Sequence, residues 1–454
     1  AIEGLICLVM AAPIAMVPPR HHAPRPSSRS GTGVRSPTMS GPAAWPGPFL
    51  AALALALLGL AVYAYFGYPL LLRWLCRPRP LTGPASAPPD SELPRITVVM
   101  AAYNEAYIVR ERIQNLLEQD YPPDKLEILF VSDASDDGTD ELVARIDDPR
   151  IERFRQEPRQ GKTSAINLIG PEATGDVIVH TDANVFFVPT CLRALAEEFR
   201  HPEVGVVVGE FKLTNAERPD ISYGEGLYWR FETWTKRRES ERGLMAVANG
   251  SVYALRRELW RPLPPRVSGD AAEPLIAAQE GYRTINAERA IAFERAAQTF
   301  GEELLRKGRI ISQQVTCARW LGLRGLPLRI AWGYVSHKLL RYAVPLLAAG
   351  AFAASLAAGF LGFQPGWWLA AAIAAPYILS PLGFVPVPGP LARITKLLRY
   401  LVMINGASLL GIWWGLRGRG LAVWETPAST RELAASPSSA SAPGNPPGES
   451  GAGR

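Results

Sequence analysis

The chain holds 454 residues, 48% of them hydrophobic, with 48 basic against 42 acidic side chains and a formal net charge of +6. That length accommodates one large domain or two with substantial cores. The basic excess is slight and the arginines are scattered, which excludes a nucleic-acid-binding protein and fits a chain lying beside an anionic membrane leaflet. Cys7, Cys76, Cys191 and Cys317 stand far apart, without the spacing of a zinc site or a disulfide framework. Each reads as a small buried hydrophobe in a reducing compartment.

Residues 1–48 are rich in Pro, Ser, Arg and Gly, cannot bury a core and read as disordered. The sequence opens on Ala1, and Met39 precedes the first long apolar run, so the natural start is expected at Met39. Residues 49–75 carry almost no charge and are long enough to span a bilayer. Tyr63, Tyr65 and Tyr68, and the lack of a small-residue cleavage site, argue against a signal peptide. Arg73, Arg77 and Arg79 place the following side in the cytoplasm. A Pro-rich linker covers 76–93.

From 94 to 320, strand-like apolar runs alternate with helical patterns, the signature of an α/β domain. Ile108, Val109, Ile113, Leu116 and Leu117 fall at helical spacing after the first run. Asp136, Asp137 and Thr139 can cap the next helix. The mixture of Leu, Ile, Trp and Arg between Trp320 and Tyr334 predicts an interfacial segment over 321–338. Three further membrane helices are expected within 339–416, at 339–363, 367–387 and 398–416. Arg329, Lys338 and Arg341, and then Arg393, Lys396 and Arg399, fit the cytoplasmic side. Arg417 and Arg419 conflict with that rule if the last helix crosses. The Ser/Pro/Ala/Gly-rich tail, 417–454, reads as disordered.

Polar clusters close the apolar runs of the α/β region. Ile96–Met100 leads into Ala101-Ala102-Tyr103-Asn104-Glu105, Leu126–Val131 into Ser132–Thr139, and Asp176–His180 into Thr181-Asp182-Ala183-Asn184. Ligands of a parallel α/β sheet bind beyond the carboxyl ends of its strands, so these clusters converge on one site for a phosphorylated, polar substrate. Lys162-Thr163 raises a phosphate-binding P-loop, but Gln156 stands where that motif needs glycine.

These clusters, with Gly161–Asn167, Tyr228–Glu232, Asn249–Arg257, Gly269-Asp270 and Arg306–Ile310, resemble in order and spacing the motifs of glycosyltransferase family 2. The membrane layout is similar to its polysaccharide-synthase-like branch. The resemblance covers about residues 94–320. It implies a GT-A nucleotide-sugar-binding domain with a mostly parallel sheet, flanked by one N-terminal and about three C-terminal transmembrane helices. It implies an inverting enzyme that takes a sugar from a nucleotide-diphosphate donor, a UDP-sugar, to a glycan or lipid-linked acceptor in polysaccharide biosynthesis. The membrane lipid is then a partner and nucleic acid is not.

On this resemblance Asp133 contacts the base, with Ala102, Tyr103 and Glu105 around it. Lys162 lies near the nucleotide. Asp182 meets the ribose or the metal, and Asp182 with Asn184 would hold Mg2+ or Mn2+, since hard cations prefer oxygen ligands. Asp270 is the base that removes the acceptor's hydroxyl proton. Arg306 and Arg309 clamp the diphosphate. Asp137 is expected to cap a helix, His180 to be a plain strand residue, and Glu273 to be a helix N-terminal residue. Trp229, Phe231 and Trp234 form either an acceptor wall or core.

Three departures bear on activity. Asn184 stands where the family usually has a second Asp, and Gly269 where an acid commonly precedes Asp270. Thr316 replaces the Gln of the Gln-x-x-Arg-Trp pattern that ends in Arg319-Trp320. Transfer of a single sugar to a polyprenyl phosphate or lipid therefore stays open. So does a catalytically inactive membrane scaffold of a glycan export complex. A sugar-phosphate nucleotidyltransferase would want a Gly-rich basic loop near the first strand, which Ala101–Glu105 does not offer.

Overall fold

The computed structural model describes residues 46–74, 76–83, 86–213, 222–294, 299–385, 391–418 and 423. The expectations for 1–45, Met39 among them, and for most of the tail fall outside the described residues. The expected mostly parallel sheet is present, with eight strands in the order β3-β2-β1-β4-β7-β6-β8-β5. The strands are β1 Ile96–Ala102, β2 Leu126–Asp133, β3 Ile151–Gln156, β4 Val177–Asp182, β5 Phe186–Phe187, β6 Val204–Leu213, β7 Val252–Arg256 and β8 Arg283–Glu294. β3, β2, β1 and β4 run parallel, β7 is antiparallel to both β4 and β6, and β8 runs parallel to β6.

β1 reads as one continuous apolar run because it is central, with both faces covered. α1 (Val109–Leu117) packs on the sheet through Val109, Ile113 and Leu116, all fully buried. Each such side chain contributes roughly 1.5–3 kcal/mol by leaving water. The other domain helices are α2 (Thr139–Ala144), α3 (Lys162–Ile169), α4 (Cys191–Ala196), α5 (Ser222–Arg242), α6 (Gly269–Gln279) and α7 (Phe300–Leu321). α7 opens on a capping box in which the Thr299 side chain accepts from the Glu302 backbone and Glu302 reaches back to Thr299.

Among the described residues, four helices are long and apolar enough to cross a membrane: Pro46–Trp74, Leu328–Phe360, Pro365–Phe384 and Leu391–Leu416. The second begins eleven residues earlier than the sequence suggests. Residues 328–338 are its first turns, and the helical stretch through Trp320 ends at Leu321, where Gly322 takes φ 68°. A single interfacial element over 321–338 is therefore not formed. The first and second helices each contain a π-helical turn, Tyr63–Gly67 and Val335–Leu339. These turns face one another, with Tyr63 and Ser336 hydroxyls 2.9 Å apart and Trp332 Nε1 donating to Tyr63 at 3.0 Å.

The fourth helix differs from the others in lying along α7. A Cβ on Gly411 would stand 2.6 Å from the Gly308 carbonyl oxygen, and one on Gly415 2.8 Å from Val315 Cβ, so glycine is what lets the two backbones meet. Arg319 Nη1 donates to the Gly415 and Leu416 carbonyls at 3.0 and 2.7 Å. Just beyond, the Gly418 carbonyl accepts from Arg266 of the loop before α6.

Candidate active site

The chain runs from β1 to β2 and β3 on one side, then places β4 on the other side of β1. That reversal leaves a crevice outside the carboxyl ends of β1 and β4. β4 delivers Asp182 there, level with Ala101 of β1. Its end is fixed from below by the fully buried Arg112, whose Nη2 donates to Thr181 Oγ1 at 2.9 Å and Nε to the Asp182 carbonyl at 3.4 Å. Burial pulls the Arg112 guanidinium down to about 9.

A cavity of about 320 Å³ opens beside Asp182, large enough for part of a sugar nucleotide. It brings together five of the expected residues: Lys162, Asp182, Asp270, Arg306 and Arg309. Lys162, at the start of α3, donates to Asp182 Oδ1 at 2.5 Å and to the Gly250 carbonyl at 3.2 Å. Asp270 lies in the first turn of α6, and its carbonyl accepts from Ala248 N at 2.9 Å. The Asp270 carboxyl faces Gly250, where a Cβ would meet Cγ at 3.5 Å. Arg306 and Arg309 come from α7. Arg306 is also bonded to Glu303, through Nε at 2.8 Å and Nη2 at 3.0 Å. Burial, then the charge of Arg306, lowers Arg309.

Ala102, Tyr103, Glu105 and Asp133 do not line this cavity; they form a second cluster at the ends of β1 and β2. Asp133 is buried, and its oxygens accept from Gln156 Nε2 at 2.5 Å, Gln160 N at 2.9 Å and Gly161 N at 2.8 Å. The carboxylate thus shapes the 156–161 loop that leads into α3. The Arg159 guanidinium stacks 3.2 Å over the Tyr103 ring. Asp137, expected to cap α2, stands one residue before its N-cap Gly138 and accepts from Thr139 N at 3.1 Å and Ala106 N at 3.0 Å. Asp136 and Asn104 bond one another, Nδ2 to Oδ1 at 2.7 Å and backbone N to Oδ1 at 3.0 Å.

Asn184 Nδ2 donates to Glu294 Oε1 at 3.3 Å, which leaves the amide carbonyl as the atom chemically suited to a cation. Glu294, at the end of β8, also lines the cavity, and burial pushes it up to about 7. Among the described residues no group of three or more His, Cys, Asp or Glu side chains converges as a metal cage. Asp182 already faces the positive charge of Lys162. Asn184 is not among the residues lining the cavity; by donor chemistry alone, Asp182 and Asn184 offer the oxygens that a hard divalent cation prefers.

Several lining residues were not legible as site residues. His180 is a β4 residue, as expected, but its ring is also in the cavity wall, stacked on Tyr253 at 4.6 Å and 3°. Burial lowers the imidazole to about 3. Glu273, expected as a helix N-terminal residue, is 2% exposed and lines the cavity instead. Lys236 of α5 is buried with Nζ donating to the Ala248 carbonyl at 3.1 Å, and burial lowers it to about 8. The membrane-facing side is closed by Tyr228, Trp229, Lys338, Tyr342 and Ile404. Of the three aromatic candidates, Trp229 forms wall, whereas Phe231 and Trp234 do not line the cavity.

That wall contains a buried ionic hub, of which Glu232 and Lys338 line the cavity. Glu232 of α5 accepts from Lys338 Nζ at 2.5 Å, Arg341 Nη1 at 3.0 Å and His337 Nε2 at 3.1 Å, all from the second membrane helix. Glu239 accepts from Tyr68 of the first membrane helix at 2.6 Å and pairs with His337 Nδ1 at 2.8 Å. Arg319 and Trp320 stand apart from the cavity; Arg319 binds the end of the fourth helix and Trp320 is exposed.

With this geometry in place, comparisons with known proteins show what the chain is similar to. The model for glycosyl transferase family 2 matches residues 97–261. A probable glycosyltransferase of Bacillus subtilis (strain 168), YdaM, is 32% identical over 190 residues, or 38% of this chain and 43% of that protein. The beta-monoglucosyldiacylglycerol synthase of Trichormus variabilis is 24% identical over 173 residues, or 37% of each chain. The chain thus spans less than half the length of either relative. Among solved structures, the mannosyltransferase PcManGT from Pyrobaculum calidifontis, in complex with GDP-Man and Mn2+, superposes with a TM-score of 0.60 at 27% identity. That match covers 80% of this chain and 99% of the other.

Proposed function

We propose that this protein, whose residues 97–261 match the model for glycosyl transferase family 2 and carry a mostly parallel sheet, is a member of that family that moves a sugar from a nucleotide-diphosphate donor, a UDP-sugar, to a hydroxyl of a membrane-associated acceptor, with inversion. One observation carries the reading. Asp270 shares a cavity with the Lys162–Asp182 pair and with Arg306 and Arg309, and the opposite wall of that cavity is built from membrane helices.

The base and ribose sit against the ends of β1, β2 and β4, and the diphosphate lies between Lys162 and the arginines of α7. Asp182 and Asn184 would hold a divalent ion, which when bound would neutralise charge on the leaving diphosphate. The acceptor oxygen attacks the anomeric carbon from the face opposite the diphosphate while its proton passes to Asp270. The bond from the anomeric carbon to the diphosphate oxygen breaks, and the nucleoside diphosphate leaves with the electron pair. The catalytic domain lies on the cytoplasmic side of the cell membrane, where nucleotide sugars are made, in keeping with Arg77 and Arg79 at its entrance.

The acceptor is a glycan or a lipid-linked glycan of polysaccharide biosynthesis. One observation favours the narrower reading, a single sugar placed on a lipid: Arg319 and Trp320 do not reach the cavity. A hydroxyl acceptor needs a base, whereas a polyprenyl phosphate arrives already deprotonated, so Asp270 points to the hydroxyl.

Purified protein in lipid nanodiscs with Mn2+ or Mg2+ is tested for diphosphate release across UDP-sugars and GDP-mannose, followed by product analysis. Asp270→Asn is expected to lower transfer by about 10²–10⁴-fold while leaving donor binding intact. Equal activity of the variant would remove Asp270 as base, and no turnover with any donor would leave a membrane scaffold.

A further inference from the structure

On the reading that Asp270 is the base, we propose that Glu273, acting through Tyr253, is a positioning residue for Asp270. Glu273 lies one helical turn after Asp270 on α6, on the same face. It is 2% exposed and contributes to the wall of the cavity that holds Asp270. Position 269 shows how tightly the group is assembled. A Cβ there would stand 2.4 Å from the Tyr253 hydroxyl and 3.2 Å from Glu273 Oε2. Only glycine lets both side chains press against the backbone that presents Asp270. Tyr253 is itself held by the stacked His180 ring and by its place in β7, between β4 and β6. The first turn of α6 is thus clamped from the sheet side by Tyr253 and Glu273, and from the other by the Ala248–Asp270 backbone bond.

The groups that face the Glu273 carboxyl come from four elements: Asp270 on α6, His180 on β4, Tyr253 on β7 and Lys162 on α3. Among the described residues no Lys or Arg pairs with it. Its Oε2 and His180 Nε2 are both buried without a hydrogen-bond partner and face one another at 3.6 Å, too far for a hydrogen bond between them. Burial raises the carboxyl to about 7; the Tyr253 hydrogen bond opposes this, and the Asp270 charge adds to it. The neutral acid completes the clamp and places no second negative charge beside the base or the donor diphosphate. Ionisation adds that charge.

The sign follows. The unfolded chain releases this proton near 4.5 and the folded protein near 7. The folded state therefore holds the extra proton between those values, and stability falls as pH rises through that window. Transfer should fall above about pH 7 for the same reason.

The test compares kcat between pH 6 and pH 8 for the full-length protein in nanodiscs. Glu273→Gln keeps the shape and stays neutral. At pH 6 it should work within about threefold of the parent, and its rate relative to the parent should rise up to about tenfold by pH 8, one unit beyond the titration. Tyr253→Phe deletes the bond that holds the carboxyl down, so its alkaline fall should move to higher pH, with lower kcat and unchanged donor Kd. A flat Glu273→Gln ratio, or a Tyr253→Phe limb that moves down or stays in place, would overturn the inference. Asp270→Asn, run alongside, separates the outcomes. If it stays active, the base itself is misassigned; if it is dead while the Glu273→Gln ratio is flat, only the role of Glu273 falls.

Discussion

The floor and the membrane-side wall of the cavity are built in opposite ways. On the floor, Asp182 follows directly from β4, the strand that ends beneath it, as Asp133 of the neighbouring cluster follows from β2. The wall is assembled from α5, the second membrane helix and the fourth, and Glu232 meets Lys338 across 106 residues of sequence. Floor residues depend on sheet register, which is fixed by a buried apolar core. Wall residues depend on ion pairs between helices, where losing one partner strands the others. A floor built this way tolerates changes in the wall, and the comparison can be broken by showing that it does not.

The largest effect expected from the wall is on stability. Glu232 is buried, and although burial opposes it, Lys338, His337 and Arg341 hold its carboxyl well below the usual range. Glu232→Gln leaves those cations without their counter-charge, at a cost of roughly 3–5 kcal/mol. The variant should unfold earlier in detergent while its folded fraction binds the donor nucleotide with an unchanged Kd. Loss of donor binding in protein that is still folded would show that wall and floor are one unit.

A smaller effect is expected from the wall's aromatic face. Trp229 packs 4.9 Å from Phe211 and lines the cavity, whereas Trp234 does not. Trp229→Ala should raise the acceptor KM about tenfold, roughly 1.4 kcal/mol of lost contact, with donor KM unchanged. Trp234→Ala should stay within about twofold on both. Equal effects from the two would return Trp229 to core packing and leave the wall without an acceptor role.

The same division governs what the sequence revealed. Strand-end clusters are local, so β1, β2, β4 and their acids were legible from apolar runs and polar stops, and α1 from its apolar spacing. Tyr253 was within a recognised motif, but its pairing with His180 is cross-strand and needs the antiparallel β4–β7 register. Glu273 looked like an ordinary acid in the first turns of a helix; only the glycine before Asp270 and the ring above it make it part of the site. Lys338 and Arg341 were read as charges marking a membrane boundary. In the fold they point back to Glu232, a use that residue counting near a helix end does not distinguish. The fourth helix is similar. Length and composition make it a candidate span, and its packing along α7, with Gly418 at Arg266, brings its end to the domain.

Arg319 gives the finest test of the comparison, because it shares α7 with Arg306 and Arg309 but not the cavity. Arg306 and Arg309 line the cavity, whereas Arg319 satisfies two terminal carbonyls of the fourth helix. Such carbonyls have no partner within their own helix, and hydrogen bonds from a charged group contribute roughly 1.5–3 kcal/mol. Some of that is recovered by water once the exposed end frays. Arg319→Ala should therefore lower the unfolding temperature slightly and leave kcat within about twofold, while Arg309→Ala reduces transfer at least about tenfold, or 1.4 kcal/mol. A product series that shortens in Arg319→Ala would restore this residue to glycan handling and make the polymer reading the stronger one. Unchanged products from a slightly less stable protein would confine it to joining α7 to the membrane.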